Sequence, residues 1–466
     1  MASGEKMHIV MFPWLAFGHL LPYLKLAKLI AEKGHQISFI STPRNIDRLP
    51  KLAHNVAPLI NLVKIPLPCT PNLPENAEAT IDIPFDKVKY LKVAYDHLQS
   101  PVTHFLESNS VDWILCDMMS YWLGPIASQL GVPCAWYSIF PASILGIFGP
   151  PSNMITGDDY RVKPEDFTVK PKWVQFETSV AISLYQILAQ APNLEADGTE
   201  NVTDLYRLGN TIKNCDIVAI RSSIEFESEW LKLVEELYEK PVIPTGLLPA
   251  IDDVNEDEHW AEIKDWLNKQ AYGSVIYVAF GAETKLSQVD VTELALGLEL
   301  SGLPFFWAIR KQRGLDDPER VELPEGFQER TRGRGMVYTT WVPQIKILSH
   351  DSVGGLLIHS GWSSVVEAVQ FGKALLLLPF LGDQGIIAKQ VEEKKLGFMI
   401  PRNELDGGFT RDSVAASVKL VMVDEEGKIY RDKVKEFKGS FSDMDRQDYY
   451  VENLIAYLQN HKFLKK

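Results

Sequence analysis

Two groups of polar residues in this sequence sit among apolar neighbours and have side chains suited to chemistry. The first is a histidine and an aspartate far apart in the chain. His19 lies in "FPWLAFGHLLP" (12–22), just after an apolar run and at the start of a stretch with helical spacing; Gly18 lets the backbone turn before it. The positive end of a helix favours the neutral imidazole, which can accept a proton. Asp117 lies in "DWILCDMMS" (112–120), directly after another apolar run. A carboxylate in such company needs a partner. An aspartate that orients a histidine and stabilises its protonated form makes a base able to take a proton from a hydroxyl. Each also has a plainer reading: His19 can simply pack at a helix end, and Asp117 can cap the next helix.

The second group is concentrated in "WVPQIKILSHDSVGGLLIHSGWSSVVEAVQFGKALLLLPFLGDQ", residues 341–384. Residues 354–359 read as a strand and 361–372 as the start of a helix, so His359, Ser360 and Gly361 form the turn between them. Backbone N–H groups and the helix dipole at such a turn favour a phosphate. His359 can add a donor, and Ser363 and Ser364 can add hydroxyls. Glu367 follows Ser363 at i+4 on the same helix face and suits the vicinal diol of a ribose. Trp341 can stack on a base, and Asp383 and Gln384 follow another strand end, where they can read hydroxyls. Singly, Ser363 could be a helix cap, Trp341 core and Asp383 a loop cap. Together, at successive strand ends of one sheet, they describe a nucleotide-sugar site.

The elements that must hold these residues follow from the spacing. Strands are expected at 8–12, 36–41, 61–65, 112–116, 133–138 and 216–220, and again at 274–280, 305–309, 335–341, 354–359, 374–380 and 396–401. Helical periodicity fills the gaps, including 20–34, which ends at Gly34, and 287–301, 385–394, 412–423, 426–441 and 448–462. Strands alternating with helices imply parallel pairing, so the fold class is α/β with two doubly wound sheets. Residues 139–205 break the rhythm and read as loops and short helices, where Phe140, Phe148 and Trp173 can line a pocket or fill the core. The Pro/Gly then acid-rich stretch 246–260 reads as a linker. The expected domains are 1–245, 261–445 and a terminal helix in 446–466. Ligands of open parallel sheets bind beyond the carboxyl ends of the strands, so two such domains would enclose a cleft.

Composition narrows the function classes. A chain of 466 residues exceeds one compact core. Its formal charge of −14 and the lack of a Lys/Arg-rich stretch argue against a nucleic-acid partner. Cys69, Cys116, Cys134 and Cys215 share no metal-ligand spacing and read as mainly buried thiols of a reducing compartment. No signal-peptide layout and no long uncharged apolar run stand out, so a cytoplasmic protein without a membrane span is expected. No paired Asp-x-Asp serves the phosphates, and "LDDPE" (315–319) reads as solvated, so no metal is expected.

The stretch 341–384 resembles the signature box of the plant UDP-dependent secondary-product glycosyltransferases (family 1 glycosyltransferases), and "AFGHLLP" resembles the catalytic-histidine loop of that family. The likeness spans essentially the whole chain. Residues 12–50 look most like the branch that adds glucose or rhamnose to the sugar of a flavonoid, terpenoid or steroid glycoside. The resemblance implies the GT-B arrangement, two facing Rossmann-like domains, with the last helix crossing back to the first domain. It implies that His19 is the general base and that Asp117 orients it. Trp341 would stack on uracil, with Val342 and Gln344 at the uracil edge. His359 would contact the diphosphate, helped by Ser364 and the backbone at Gly361, Trp362 and Ser363. Glu367 would hold the ribose, and Asp383 and Gln384 the transferred sugar. UDP-glucose or UDP-rhamnose would be a co-substrate, with no cofactor, a lipophilic glycoside would be the acceptor, and a monomer is the family default. Gln384 suits glucose by family habit, whereas Ser363 and the branch suit rhamnose.

Two departures stand out. "HSGWSS" replaces the usual His-Cys-Gly-Trp-Asn-Ser, so Ser363 stands where an Asn reaches the donor. Ala282 stands where the family has a phosphate-contacting Ser, which predicts weaker donor binding. A degenerate member that binds UDP-sugar but turns over poorly is the alternative. A Rossmann-type oxidoreductase should show G-x-G-x-x-G after the first strand; "PWLAFGHLLP" stands there instead. A binding protein without catalysis would not need His19 paired with Asp117.

Overall fold

In a computed structural model of the chain, residues 5–190, 202–250, 259–281, 284, 286–309, 321–380 and 382–462 are described. Among them, thirteen strands form two parallel sheets. The first sheet contains β1 (His8–Phe12), β2 (Gln36–Ser41), β3 (Ile60–Lys64), β4 (Trp113–Cys116), β5 (Cys134–Ser138), β6 (Ile217–Ile220) and β7 (Val242–Pro244). Their order is β3-β2-β1-β4-β5-β6-β7. The second contains β8 (Val275–Ala279), β9 (Phe305–Ala308), β10 (Gly335–Tyr338), β11 (Val353–Ile358), β12 (Ala374–Leu377) and β13 (Gly397–Met399), in the order β10-β9-β8-β11-β12-β13.

The apolar runs become strands because helices cover both faces of each sheet. All four residues of β4, β6 and β12 are buried. The one strand among the described residues that the spacing does not predict is β7. It is three residues long and ends on Pro244. A proline is tolerated there because β7 is the edge strand. Adjacent glycines in β11 answer a close approach: a side chain on Gly354 would meet the Gly273 carbonyl, and one on Gly355 would meet Met422. The register shifts between Val353 and Gly355 at the same point.

The chain divides into two compact units, Met1–Tyr160 with Pro192–Leu248 and Met444–Lys466, and Arg161–Ala191 with Pro249–Asp443. Within the first unit the helix Met444–Asn460 packs on the helix Phe17–Glu32, and the Trp113 indole donates to the Leu458 carbonyl at 2.8 Å. Residues 161–191, which the sequence reading set within the first domain, pack with the second unit. No helix among the described residues is long and apolar enough to cross a membrane. Cys116, Cys134 and Cys215 are buried free thiols, and Cys69 is exposed.

Candidate active site

In the first sheet the chain runs outward from β1 to β2 and β3, then returns to place β4 on the other side of β1. This reversal is the switch point at which parallel α/β sheets bind ligands. His19 follows β1, and Asp117 follows β4. The His19 Nδ1 and an Asp117 carboxylate oxygen lie 2.8 Å apart, with the two residues 9% and 2% exposed. The same oxygen accepts from the Trp14 N–H at 2.9 Å, and the other accepts from the Met118 N–H at 2.7 Å. These three donors compensate the burial of the carboxylate. A carboxylate only accepts, so Nδ1 carries the proton and Nε2 is the basic nitrogen. Asp117 does not cap the following helix Leu123–Leu130, whose N-cap is Trp122. Phe140 sits edge-on to the His19 ring, with centroids 5.6 Å apart. Beneath them the Tyr23 hydroxyl lies 2.7 Å from the Cys116 carbonyl and 2.9 Å from that of Tyr137, tying β4 to β5.

The second sheet reverses between β8 and β11. His359 follows β11, and Ser360 takes a left-handed backbone conformation with φ 71°. Gly361 is then the N-cap of the helix Trp362–Gln370, which has no side-chain cap. The first turn of a helix entered this way is where an anion finds backbone N–H groups and the positive end of the dipole. The His359 imidazole fits between two glycines. A Cβ on Gly361 would lie 2.6 Å from Nε2, and one on Gly281, whose φ is +70°, would lie 2.9 Å from Cε1. Burial pushes His359 down to about 4, so it is neutral at pH 7. Its Nδ1 and the Ser360 hydroxyl are buried without a partner among the described residues. Buried polar atoms are rarely left so, and these two stand beside a helix N-terminus. Trp362 is buried, while Ser363 and Ser364 are partly exposed.

The remaining candidates occupy the same carboxyl edge. Trp341 follows β10 and is 61% exposed, so much of its ring is open to stacking. Val342 beside it is buried. The Gln344 side-chain amide donates to a Glu367 carboxylate oxygen at 2.6 Å, and the Tyr277 hydroxyl donates to the Gln344 Oε1 at 3.3 Å. The uracil-edge and ribose candidates thus form one bonded pair. Asp383 and Gln384 open the helix Gly382–Glu393 after β12. Gln384 is buried, and its carbonyl accepts from the Phe380 N–H at 3.0 Å. Ala282 lies outside the described residues. Sequence reasoning passed over Gly281 and the backbone of Ser360; the signal available was a glycine directly beyond a strand.

A family model described as UDP-glucoronosyl and UDP-glucosyl transferase matches residues 221–446. The chain is 53% identical over 465 residues to UDP-glycosyltransferase 91A1 of Arabidopsis thaliana, covering 99% of this chain and 98% of that one. It is 42% identical to the soyasaponin III rhamnosyltransferase of Glycine max, covering 99% and 97%. Among solved structures it superposes on UGT73P12 of Glycyrrhiza uralensis, complexed with glycyrrhetinic acid 3-O-monoglucuronide, with a TM-score of 0.78 at 20% identity, covering 99% and 97%. The two parallel sheets are those of the GT-B fold, and with likeness of this depth along its whole length the chain belongs to the UDP-glycosyltransferase family.

Proposed function

We propose that this chain is an inverting, metal-independent transferase that moves glucose or rhamnose from UDP to a hydroxyl of a lipophilic plant glycoside, acting as a cytoplasmic monomer. The observation that carries the catalytic part is the buried His19–Asp117 contact at a sheet switch point. His19 Nε2 takes the acceptor proton as the hydroxyl oxygen attacks the anomeric carbon from the face opposite UDP. The bond from that carbon to the phosphate oxygen breaks, and its electron pair leaves with the diphosphate. Asp117 holds Nδ1–H and stabilises the imidazolium. The first-turn N–H groups of the helix Trp362–Gln370, with Ser364 and His359, meet the charge growing on the diphosphate. Trp341 covers the uracil, Val342 and Gln344 border it, and Glu367 holds the ribose. Asp383 and Gln384 touch the transferred sugar, and Ala282 leaves the diphosphate one donor short of the family pattern.

The soyasaponin III rhamnosyltransferase at 42% identity and an anthocyanidin-3-O-glucoside rhamnosyltransferase of Petunia hybrida at 33% support a glycoside acceptor. Mass spectrometry after incubation with UDP-glucose or UDP-rhamnose and a flavonoid or triterpenoid glycoside separates the donors, as a gain of a hexose or of a deoxyhexose. His19→Ala tests the base. Turnover should fall by roughly 10²–10⁴-fold while UDP binding, followed by calorimetry, is retained. Undiminished turnover in this variant would remove His19 from the mechanism.

A further inference from the structure

The excursion Arg161–Ala191 packs with the second unit, and the transfer chemistry above gives it no role. Its helix Leu184–Gln190 touches the helix Gly382–Glu393, whose first turn carries Asp383 and Gln384. Two adjacent residues make this contact specific. The Tyr185 hydroxyl donates to the Pro379 carbonyl at 3.3 Å. Its ring lies over Gly407, where φ is +73° and a Cβ would come within 2.6 Å of Cδ2. The Arg402 guanidinium sits 4.8 Å from the Tyr185 ring centre and 4.8 Å from that of Phe380, and also donates to the carbonyls of Pro379 and Gly407. Gln186 is 1% exposed. Its carboxamide fills the space beside Gly385 so closely that a Cβ there would lie 1.9 Å from Oε1 and 2.4 Å from Nε2.

The passage from β12 into the helix is therefore gripped at both ends, by Tyr185 at Pro379 and by Gln186 at Gly385. Between the grips, Gln384 holds the Phe380 N–H. At the far end of the helix, Glu393 accepts from the Thr178 hydroxyl at 2.8 Å and the Ser179 hydroxyl at 2.9 Å. The same excursion thus braces the helix along its length.

We propose that Tyr185 and Gln186 are positioning residues for the transferred sugar: by holding Pro379 and Gly385 on either side they set where Asp383 and Gln384 meet its hydroxyls, and so help to select the sugar that UDP carries. This rests on the reading that Asp383 and Gln384 touch the sugar. Placement of a bound sugar matters that much for transfer, since a misplacement of about 1 Å can cost about 10²-fold in rate.

The test compares binding of UDP with binding of UDP-glucose and UDP-rhamnose in Gln186→Ala and Tyr185→Phe, alongside kcat and KM for both donors. Tyr185→Phe keeps the ring and loses only the hydroxyl, with its bonds to the Pro379 carbonyl and to Arg402, so it carries the test if Gln186→Ala does not fold. The expected result is unchanged UDP affinity, loss of on the order of tenfold in the advantage of UDP-sugar over UDP, and an altered preference between the two donors. Gly385→Ala should act the same way, with Gln186→Ala in the same chain restoring part of the loss. UDP and UDP-sugar weakening in parallel, or neither changing, would overturn the proposal. Asp383→Ala separates the two levels: if it too leaves the UDP-sugar advantage intact, the sugar-contact reading itself has failed; if it abolishes that advantage while the clamp variants do not, only the clamp is wrong.

Discussion

Trp341 is a large ring left 61% exposed beside a buried Val342. Because so little of it packs on protein, removing it should cost little stability and mainly a stacking partner. Trp341→Ala is expected to weaken UDP binding roughly ten- to hundredfold, as for loss of one base stack, with no change in melting temperature; titration calorimetry and a thermal melt check both halves. His359 behaves oppositely, because burial governs it. Its folded pKa of about 4 lies below the ordinary 6.5. Between those values the unfolded chain binds a proton that the folded chain does not, so stability is full above about 6.5 and is lost as pH falls toward about 4. His35 and His350 are also held low by burial, so the wild-type curve alone does not isolate this residue. His359→Gln stays neutral throughout and should show a shallower acid-side loss in urea unfolding at pH 7 and pH 4.5. An identical slope in the two proteins would reject the assignment.

At the scale of elements, the proposed donor site is a set of strand-to-helix turns, and their backbone conformations matter as much as their side chains. Gly281 and Gly273 provide a controlled comparison. Both take left-handed conformations, with φ +70° and +63°, but a Cβ on Gly281 would strike His359, whereas one on Gly273 meets nothing within 4 Å. An alanine at either position costs about 1–2 kcal/mol in backbone strain. Only Gly281→Ala should also displace His359 and weaken UDP binding, whereas Gly273→Ala should lose stability alone. Equal effects on UDP binding would mean that the His359 contact is unimportant. The sequence made the strand–His–helix order readable, because apolar runs and helical spacing are local signals. It could not show that Ser360 would adopt φ 71°, since a serine gives no warning of a left-handed turn.

Across the whole molecule, the chain leaves the first unit at Arg161, returns at Pro192, leaves again at Pro249 and comes back at Met444. The last return is fixed by Gln447, which is 3% exposed. Its carbonyl accepts from the Leu248 N–H at 2.8 Å, and its amide donates to the Thr245 carbonyl at 2.9 Å. Gly246, at φ +81°, leaves no room for a Cβ beside this amide. Gln447→Leu would leave both backbone groups buried and unpaired, at a cost of about 2–4 kcal/mol. Chemical denaturation should show that loss in the first unit, while UDP binding by the second persists. An unchanged unfolding midpoint would show that water or a neighbour replaces the amide.

The sequence by itself determined the α/β class and twelve of the thirteen strands among the described residues, and it supplied the candidate residues of both proposed sites, because periodicity, turn chemistry and the need to pair buried polar groups are local constraints. The long signature at 341–384 also determined the family. Tertiary structure decided what depends on strand order and distant partners. It joined His19 to Asp117 across 98 positions by setting β4 beside β1. It made β7 a strand by giving it β6 as a neighbour. It also moved residues 161–191 into the second unit, where Gln186 meets Gly385. No spacing rule reaches such a pair, because its contact depends on how whole elements pack and only then on which side chains fit the space that remains.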